Sequence, residues 1–300
     1  MNILVTGANG LLGQKLVYLL SGTDGVTLHA TSRGPARMGT VPPSCTYHAL
    51  DLTDEGGVSQ LIQNLKPDCV IHTASLTLVD ECELDRDKCY LHNVKAVAYL
   101  LKACKPLNCH FIYLSTDFIF SGEEEHYKET DAPAPVNYYG ECKLQAENLV
   151  QASGLRWAIL RTVLVYGYTQ GMSRSNIVLW VKKSLEEGIN IKVVTDQLRT
   201  PTLAEDLAEG CKLAALKRAQ GVYHISGSEP MTPYEIAVAT ADYFGLDRGL
   251  ITKADSSNFT QPAKRPPRTG LDISKARSEL GYEPRPFMEG LSLLKKQLDA

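Results

Sequence analysis

The sequence predicts an α/β protein built on a Rossmann-type, doubly wound parallel sheet with a smaller C-terminal α/β substrate lobe. Three observations lead there. The chain begins with a short apolar run, Asn2 to Val5, that passes through Thr6 into a Gly-rich turn and then into leucines at helical spacing. Strand-like and helix-period segments alternate throughout the first half. A Tyr-x-x-x-Lys pair, Tyr139 and Lys143, then follows a strand that ends at Ser115-Thr116. At 300 residues the chain has room for a nucleotide domain and a smaller lobe, divided here as 1–165 and 166–300, with some of the later chain crossing back to the sheet.

The first element is strand, turn and helix. Gly7-Ala8-Asn9-Gly10-Leu11-Leu12-Gly13 has the G-x-x-G-x-x-G spacing, after which Leu12, Leu16, Leu19 and Leu20 recur at helical period. Such a turn offers positive φ, an open approach for a pyrophosphate at the positive helix end, and close helix-on-strand packing. Gly7, Asn9, Gly10, Leu11, Leu12 and Gly13 are therefore the expected dinucleotide contacts. The next strand, Val26 to Thr31, runs into Ser32-Arg33. An NAD-selective site usually carries an acidic residue there, which would repel a 2′-phosphate. Arg33 instead presents a planar donor fork and Ser32 a hydroxyl, so NADP(H) is preferred to NAD(H).

Residues 33 to 45 are rich in Gly, Pro and Thr and read as a loop over the cofactor. A third strand near Thr46 to Ala49 closes on Asp51-Leu52, an acceptor for the adenine amino group with an apolar neighbour. After the helix Glu55 to Leu65 comes a buried strand from Asp68 that ends in Ala74-Ser75-Leu76, where small side chains would let the cofactor ribose lie against the backbone. A long helical region from Val79 to Cys104 holds Asn93, and the strand Cys109 to Ser115 delivers Thr116 and Asp117. Acidic and Pro-rich residues 121–135 form a surface loop before a helix from Asn137 to Ala152, and a strand at Arg156 to Leu160 follows. The second half reads as helices near Asn176 to Glu187, Ala204 to Lys217, Thr232 to Phe244, Ser274 to Leu280 and Met288 to Leu298.

Composition bounds the partners. With 44% hydrophobic and 22% charged residues and a net charge of -3, nothing points to nucleic acid or an anionic membrane. The eight cysteines contain no C-x-x-C and are expected as reduced thiols; the seven histidines contain no H-E-x-x-H, so no metal is expected. The N-terminus starts in a strand, with no basic region, cleavable apolar core or membrane-length run, so a cytoplasmic location is expected.

The chemistry is expected at Thr116, Tyr139 and Lys143. A spacing of four puts Tyr139 and Lys143 on one helix face. A free phenol has a pKa near ~10, and an adjacent ammonium lowers it. Thr116, on the neighbouring strand, would hydrogen-bond the same carbonyl oxygen to which the phenol gives its proton as hydride arrives.

With these residues assembled, the chain resembles the extended short-chain dehydrogenase/reductases, specifically the dTDP-4-dehydrorhamnose reductase (RmlD-like) group. Ser115-Thr-Asp-Phe-Ile-Phe-Ser-Gly122, Tyr127-Lys-Glu-Thr-Asp131, Pro133-Ala-Pro135 and Tyr139-Gly-Glu-Cys-Lys143 are similar to its active-site block. Arg161-Thr162, Asp196-Gln197, Pro201-Thr202, Gly221 to Gly227 and Leu271-Asp272 match later positions. The resemblance implies that Tyr139 protonates the C4 oxygen of a nucleotide-activated 4-keto-6-deoxysugar, that Lys143 holds the ribose and lowers the Tyr pKa, and that Thr116 and Asp117 face the sugar. Arg199 and Arg265 are diphosphate candidates. Two positions depart from the group: Lys15 stands where the metal-bridged dimers carry a glutamate, which removes the magnesium site and leaves a homodimer open, and Leu164 stands where some members place an aromatic residue against the sugar. Two other readings stay open: an epimerase or dehydratase that keeps its NAD(P), and a non-catalytic NADP-binding subunit of the kind that methionine adenosyltransferase β represents.

Overall fold

The computed structural model describes residues 1–172 and 174–299, leaving Ser173 and Ala300 outside the described residues. From the N-terminus the elements are β1 (Asn2–Thr6), α1 (Leu11–Ser21), β2 (Thr27–Ser32), β3 (Cys45–Ala49), α2 (Glu55–Leu65), β4 (Cys69–His72), α3 (Val79–Leu84), α4 (Arg86–Tyr90), α5 (Ala96–Cys104) and β5 (His110–Thr116). Then come β6 (His126–Tyr127), α6 (Tyr138–Gln151), β7 (Trp157–Thr162), β8 (Val165–Tyr166), α7 (Ile177–Glu186), β9 (Ile191–Val194), β10 (Thr202–Leu203), α8 (Ala204–Leu216), β11 (Gly221–His224), α9 (Pro233–Phe244), β12 (Ile251–Ala254), β13 (Gly270–Leu271) and α10 (Phe287–Leu298).

Seven parallel strands form the central sheet in the order β11-β7-β5-β4-β1-β2-β3. The order reverses between β1 and β4, so the carboxyl ends of these two strands open the crevice in which doubly wound sheets bind ligands. Both faces are covered. All seven residues of β5 and all four of β4 are buried, with no polar alternation, as a two-sided sheet requires. On one face Leu16, Val17 and Leu20 of α1 join Leu207, Cys211 and Ala214 of α8 over Ile3, Val5 and Ile71. On the other, α2, α5 and α6 pack on Leu4, Val70, Phe111 and Ile159.

The helical region read over Val79 to Cys104 is present as several short pieces. Asp85 leaves helical geometry and caps α4 by accepting from Lys88 N, and residues Leu91–Lys95 form a π turn before α5. A π turn carries one extra residue, and here it keeps Asn93 turned inward at 2% exposure.

After β8 the chain builds a second set of layers. The parallel pair β9–β12 packs under α7 and α9 through Val181, Leu185, Val193, Ala237 and Ile251, and α10 closes on Tyr166, Val178 and Leu203. These two strands were not read from the sequence because each is four residues long with its middle partly or wholly exposed. The chain also returns to the first layers, since β11 extends the central sheet beside β7 and α8 lies against α1 and the sheet. All eight cysteines are buried thiols. Among the described residues no helix is long and apolar enough to cross a membrane.

Candidate active site

The Gly turn is built for a phosphate. Gly7 has φ of +72°, and a Cβ on it would sit 2.6 Å from the backbone nitrogen of Ala74, so the loops after β1 and β4 can touch only through glycine. A Cβ on Gly13 would lie 2.2 Å from the Gly7 carbonyl oxygen. Helix α1 therefore starts close against β1, with Gly10 as a cap that has no side chain and no acidic residue in the first turn. The backbone N–H groups of Leu11, Leu12 and Gly13 at this end carry positive partial charge with no carboxylate to neutralise it. Asn9 does a different job: its side chain donates to the Pro35 carbonyl and Tyr47 hydroxyl and accepts from Arg37 N, which pins the 33–45 loop.

Ser32 and Arg33 follow at the end of β2. The Arg33 side chain is 74% exposed, with NH1 4.0 Å from Asp51 Oδ2. Asp51 Oδ1 accepts from both the backbone and the hydroxyl of Thr53. Burial works to raise the Asp51 carboxyl, but Thr53 and the Arg33 charge together hold it below its ordinary value. Leu52 is buried in the cluster that holds Val58 and Ile62. Beyond β4, Ser75 Oγ and Leu76 N both donate to Asn93 Oδ1, while Asn93 Nδ2 returns a bond to the Leu76 carbonyl. Asn93 thus sets the path of Ala74, Ser75 and Leu76. Its polarity inside an apolar helical stretch was the signal available in the sequence.

Tyr139 lies at the first turn of α6, whose N-cap is Asn137, a side chain that accepts from Gly140 N and donates to the Lys264 carbonyl. Its phenol is 7% exposed and has Thr116 and Ser75 facing it. Burial raises its pKa above the ordinary value and the Asp117 charge adds to that, while Thr116 and Ser75 pull the other way. Lys143, one turn on, is 2% exposed; its Nζ donates to the Leu114 carbonyl at 2.6 Å and lies 4.2 Å from the centroid of the Tyr113 ring. Burial lowers this ammonium to about 7 against the opposing charge of Glu147. Burial and the Asp117 charge outweigh the bonds from Thr116 and Ser75, so the phenol holds its proton more firmly than a free one, where the sequence reading expected Lys143 to lower its pKa.

The next residue on the same face was missed. Glu147, four positions beyond Lys143, is fully buried and accepts from Arg161 of β7 through two bonds of 3.1 and 2.8 Å. Tyr139, Lys143 and Glu147 form one stripe, and the bidentate pair at its lower end locks α6 to the sheet.

Asp117 and Arg199, expected to face the substrate, lie buried beside each other. Asp117 is 3% exposed; its Oδ1 accepts from Thr116 Oγ1 at 3.0 Å and its Oδ2 from the hydroxyl of Thr269. Arg199 lies 4.0 Å from the same carboxylate and donates to the carbonyls of Leu198, Pro266 and Pro267. Through these contacts the pair fixes the Thr116 hydroxyl and the segment 266–269. Leu164 follows β7 with φ of +41°, an unusual strain for a branched residue, and packs half-buried beside the core clusters of the second layers.

Arg265 has a divided position. It forms a bidentate pair with Asp80 of α3, and it also lines a cavity of about 500 Å³ together with Trp180, Lys192, Val193, Gln197 and Phe259. Gln197 accepts from Arg199, which links this cavity to Asp117 and Thr116 through successive contacts. Trp180 and Phe259 remain 41% and 37% exposed there, wide apolar faces that the protein leaves bare. Lys15, finally, pairs with Glu205 at 2.7 Å and donates to Gln297 within its own chain.

Comparison with known proteins agrees with this layout. A family model described as the RmlD substrate binding domain matches residues 1–299. A probable low-salt glycan biosynthesis reductase of Haloferax volcanii is 32% identical over 98% of this chain and 97% of its own length. Methionine adenosyltransferase 2 subunit beta of Rattus norvegicus is also 32% identical, over 96% of this chain and 85% of its own. A solved structure of dTDP-4-dehydrorhamnose reductase from Bacillus anthracis, in complex with NADP, superposes with a TM-score of 0.84 at 26% identity, covering 99% of each chain.

Proposed function

The chain belongs to the RmlD substrate-binding family of extended short-chain dehydrogenase/reductases, and from that premise we propose that it is an NADPH-dependent reductase of a nucleotide-activated 4-keto-6-deoxysugar. One observation carries the reading: the Tyr139 phenol, faced by Thr116 and Ser75, lies at the carboxyl edge of the sheet, where the uncapped Gly turn also opens. In this reading residues 1–165 hold the cofactor and 166–300 the nucleotide sugar.

Gly7 to Gly13 would hold the pyrophosphate, Arg33 and Ser32 the 2′-phosphate, Asp51 and Leu52 the adenine, Ala74 to Leu76 the ribose. The bound nicotinamide supplies a hydride to C4 of the sugar. Tyr139 gives its proton to the C4 oxygen, so the C=O bond becomes CH–OH and the phenolate left behind faces Thr116 and Ser75. Burial keeps that proton on the phenol until charge develops on the oxygen. Lys143 stands one turn away as the cation toward which the phenolate develops. Trp180 and Phe259 offer flat faces to a base, and Lys192 and Arg265 offer donors to a diphosphate, in the cavity beside Gln197.

A panel of dTDP-, UDP-, GDP- and CDP-linked keto sugars, each followed by loss of NADPH absorbance, tests the reading. Consumption equal to the sugar reduced supports it, and turnover without net NADPH loss would instead favour an epimerase or dehydratase. Asp117-Phe118 weighs against the latter, because it offers one acid and no adjacent glutamate where dehydratases usually need further acid and base groups beside Thr116. A regulatory subunit reading keeps its support in the likeness to the methionine adenosyltransferase subunit. It predicts NADP binding and a stable partner enzyme with no keto-sugar turnover.

Cofactor preference has its own check. Arg33→Ala is expected to weaken NADPH binding by roughly 10- to 100-fold while NADH binding changes little, because a charged donor to phosphate contributes roughly 1.5–3 kcal/mol and only NADPH carries the 2′-phosphate. Equal losses for both, measured by fluorescence titration, would remove Arg33 from the phosphate.

A further inference from the structure

We infer that Tyr113 is a positioning residue for Lys143: its ring face holds the ammonium in place, and His72 and Thr6, aligned in the same row of the sheet, brace that ring from behind.

The register builds this row. Thr6 of β1 is paired with His72 of β4, and His72 with Tyr113 of β5, so the three side chains stand on adjacent strands on the face covered by α6. Thr6 Oγ1 and His72 Nδ1 are 2.7 Å apart and fix the imidazole. The His72 and Tyr113 rings are nearly parallel, 16° between planes and 5.9 Å between centroids. Lys143 comes down from α6 onto the other end of the row, 4.2 Å above the Tyr113 centroid, and donates to the Leu114 carbonyl. Tyr113 and His72 are each 1% exposed, and neither the Tyr113 hydroxyl nor His72 Nε2 has a partner among the described residues. Two aromatic polar atoms left unbonded in the core are costly, so the positions serve something other than hydrogen bonding. For Tyr113 that is the ring face, a cation site that is strongest where water is excluded.

The surroundings leave the ring with little help in holding the charge. Glu147, on the same helix, is already engaged by Arg161, and the thiols Cys89 of α4 and Cys142 of α6 and the imidazole of His72 also act on Lys143. Burial, with the Lys143 charge adding to it, lowers His72 to about 3, so it stays neutral and does not compete as a second cation. Removing the Tyr113 face should therefore make the ammonium still easier to deprotonate. The inference rests on the proposed reductase reading only for its consequence in turnover; the placement of the charge can be read without it.

The experiment compares Tyr113→Phe with Tyr113→Leu, and reads the Lys143 titration directly by NMR of Cε-labelled lysine, with Lys143→Met to assign the resonance. Phe keeps the ring and sheds an unbonded hydroxyl, so its Lys143 pKa should match the wild type and its stability should be equal or slightly higher. Leu should lower the Lys143 pKa by about half a unit to one unit. In the reductase, the fall in kcat/KM as pH rises would begin correspondingly earlier in the Leu variant, because the charged form is the active one. A titration unchanged in the Leu variant, or shifted equally in both, overturns the inference even if the Leu variant is less stable. If Lys143→Met keeps full turnover, the reductase reading fails instead, while the NMR shift still decides the role of Tyr113.

Discussion

Tyr139→Phe is expected to reduce turnover at least ~100-fold while NADPH binding stays within about twofold of the parent. The change removes one hydroxyl from a side chain that is 7% exposed and leaves its ring packed against Phe118, with centroids 6.0 Å apart, so the fold has no reason to move. What is lost is the α6 hydroxyl that Thr116 and Ser75 face. Hydride transfer to a carbonyl carbon without a proton for its oxygen leaves an alkoxide in a buried site, and the barrier rises by the stabilisation that the donor supplied. Single-turnover loss of NADPH absorbance reads the chemical step, and cofactor fluorescence reads binding. Turnover retained within tenfold would show that the proton comes from elsewhere.

The second large effect is on stability. Arg161→Ala should cost about 3–5 kcal/mol, because it strands Glu147, fully buried, without its bidentate partner. Arg161 also donates to the Glu129 carbonyl and sits over the Phe120 ring, so its loss loosens the loop ahead of α6 as well as the helix itself. A paired replacement separates charge from packing: Glu147→Leu with Arg161→Met should recover most of the loss, since an apolar pair of similar volume avoids the desolvation cost altogether. Urea unfolding of the two variants measures both. A loss below ~1 kcal/mol for Arg161→Ala would mean that the pair is not sealed from water.

The same buried pair explains why part of the site could not be read along the chain. The periods of the apolar pattern place Val5, Ile71 and Ile112 in a sheet and Leu16 and Leu20 on its covering helix, because burial in a two-sided parallel sheet leaves long apolar runs. Gly7 and Gly13 are legible for a local reason, since only glycine fits the contacts they make. Tyr139 and Lys143 are legible because helical spacing is itself local. The internal contacts of Asp117 and Arg199 were not legible, since a charged residue near an expected site does not reveal the groups around it until the chain is folded. The partners that engage them, Thr269 and the carbonyls of Pro266 and Pro267, lie far along the chain.

Taken by itself, the sequence determined the strand-turn-helix entry, the parallel architecture and the pair on α6, all of which follow from short-range period and steric demand. Tertiary structure alone decided which charges reach solvent and how strongly each proton is held. Desolvation depends on every element packed around a group: it raises the Tyr139 phenol and lowers Lys143 to about 7, and neither shift can be read from their spacing along the helix.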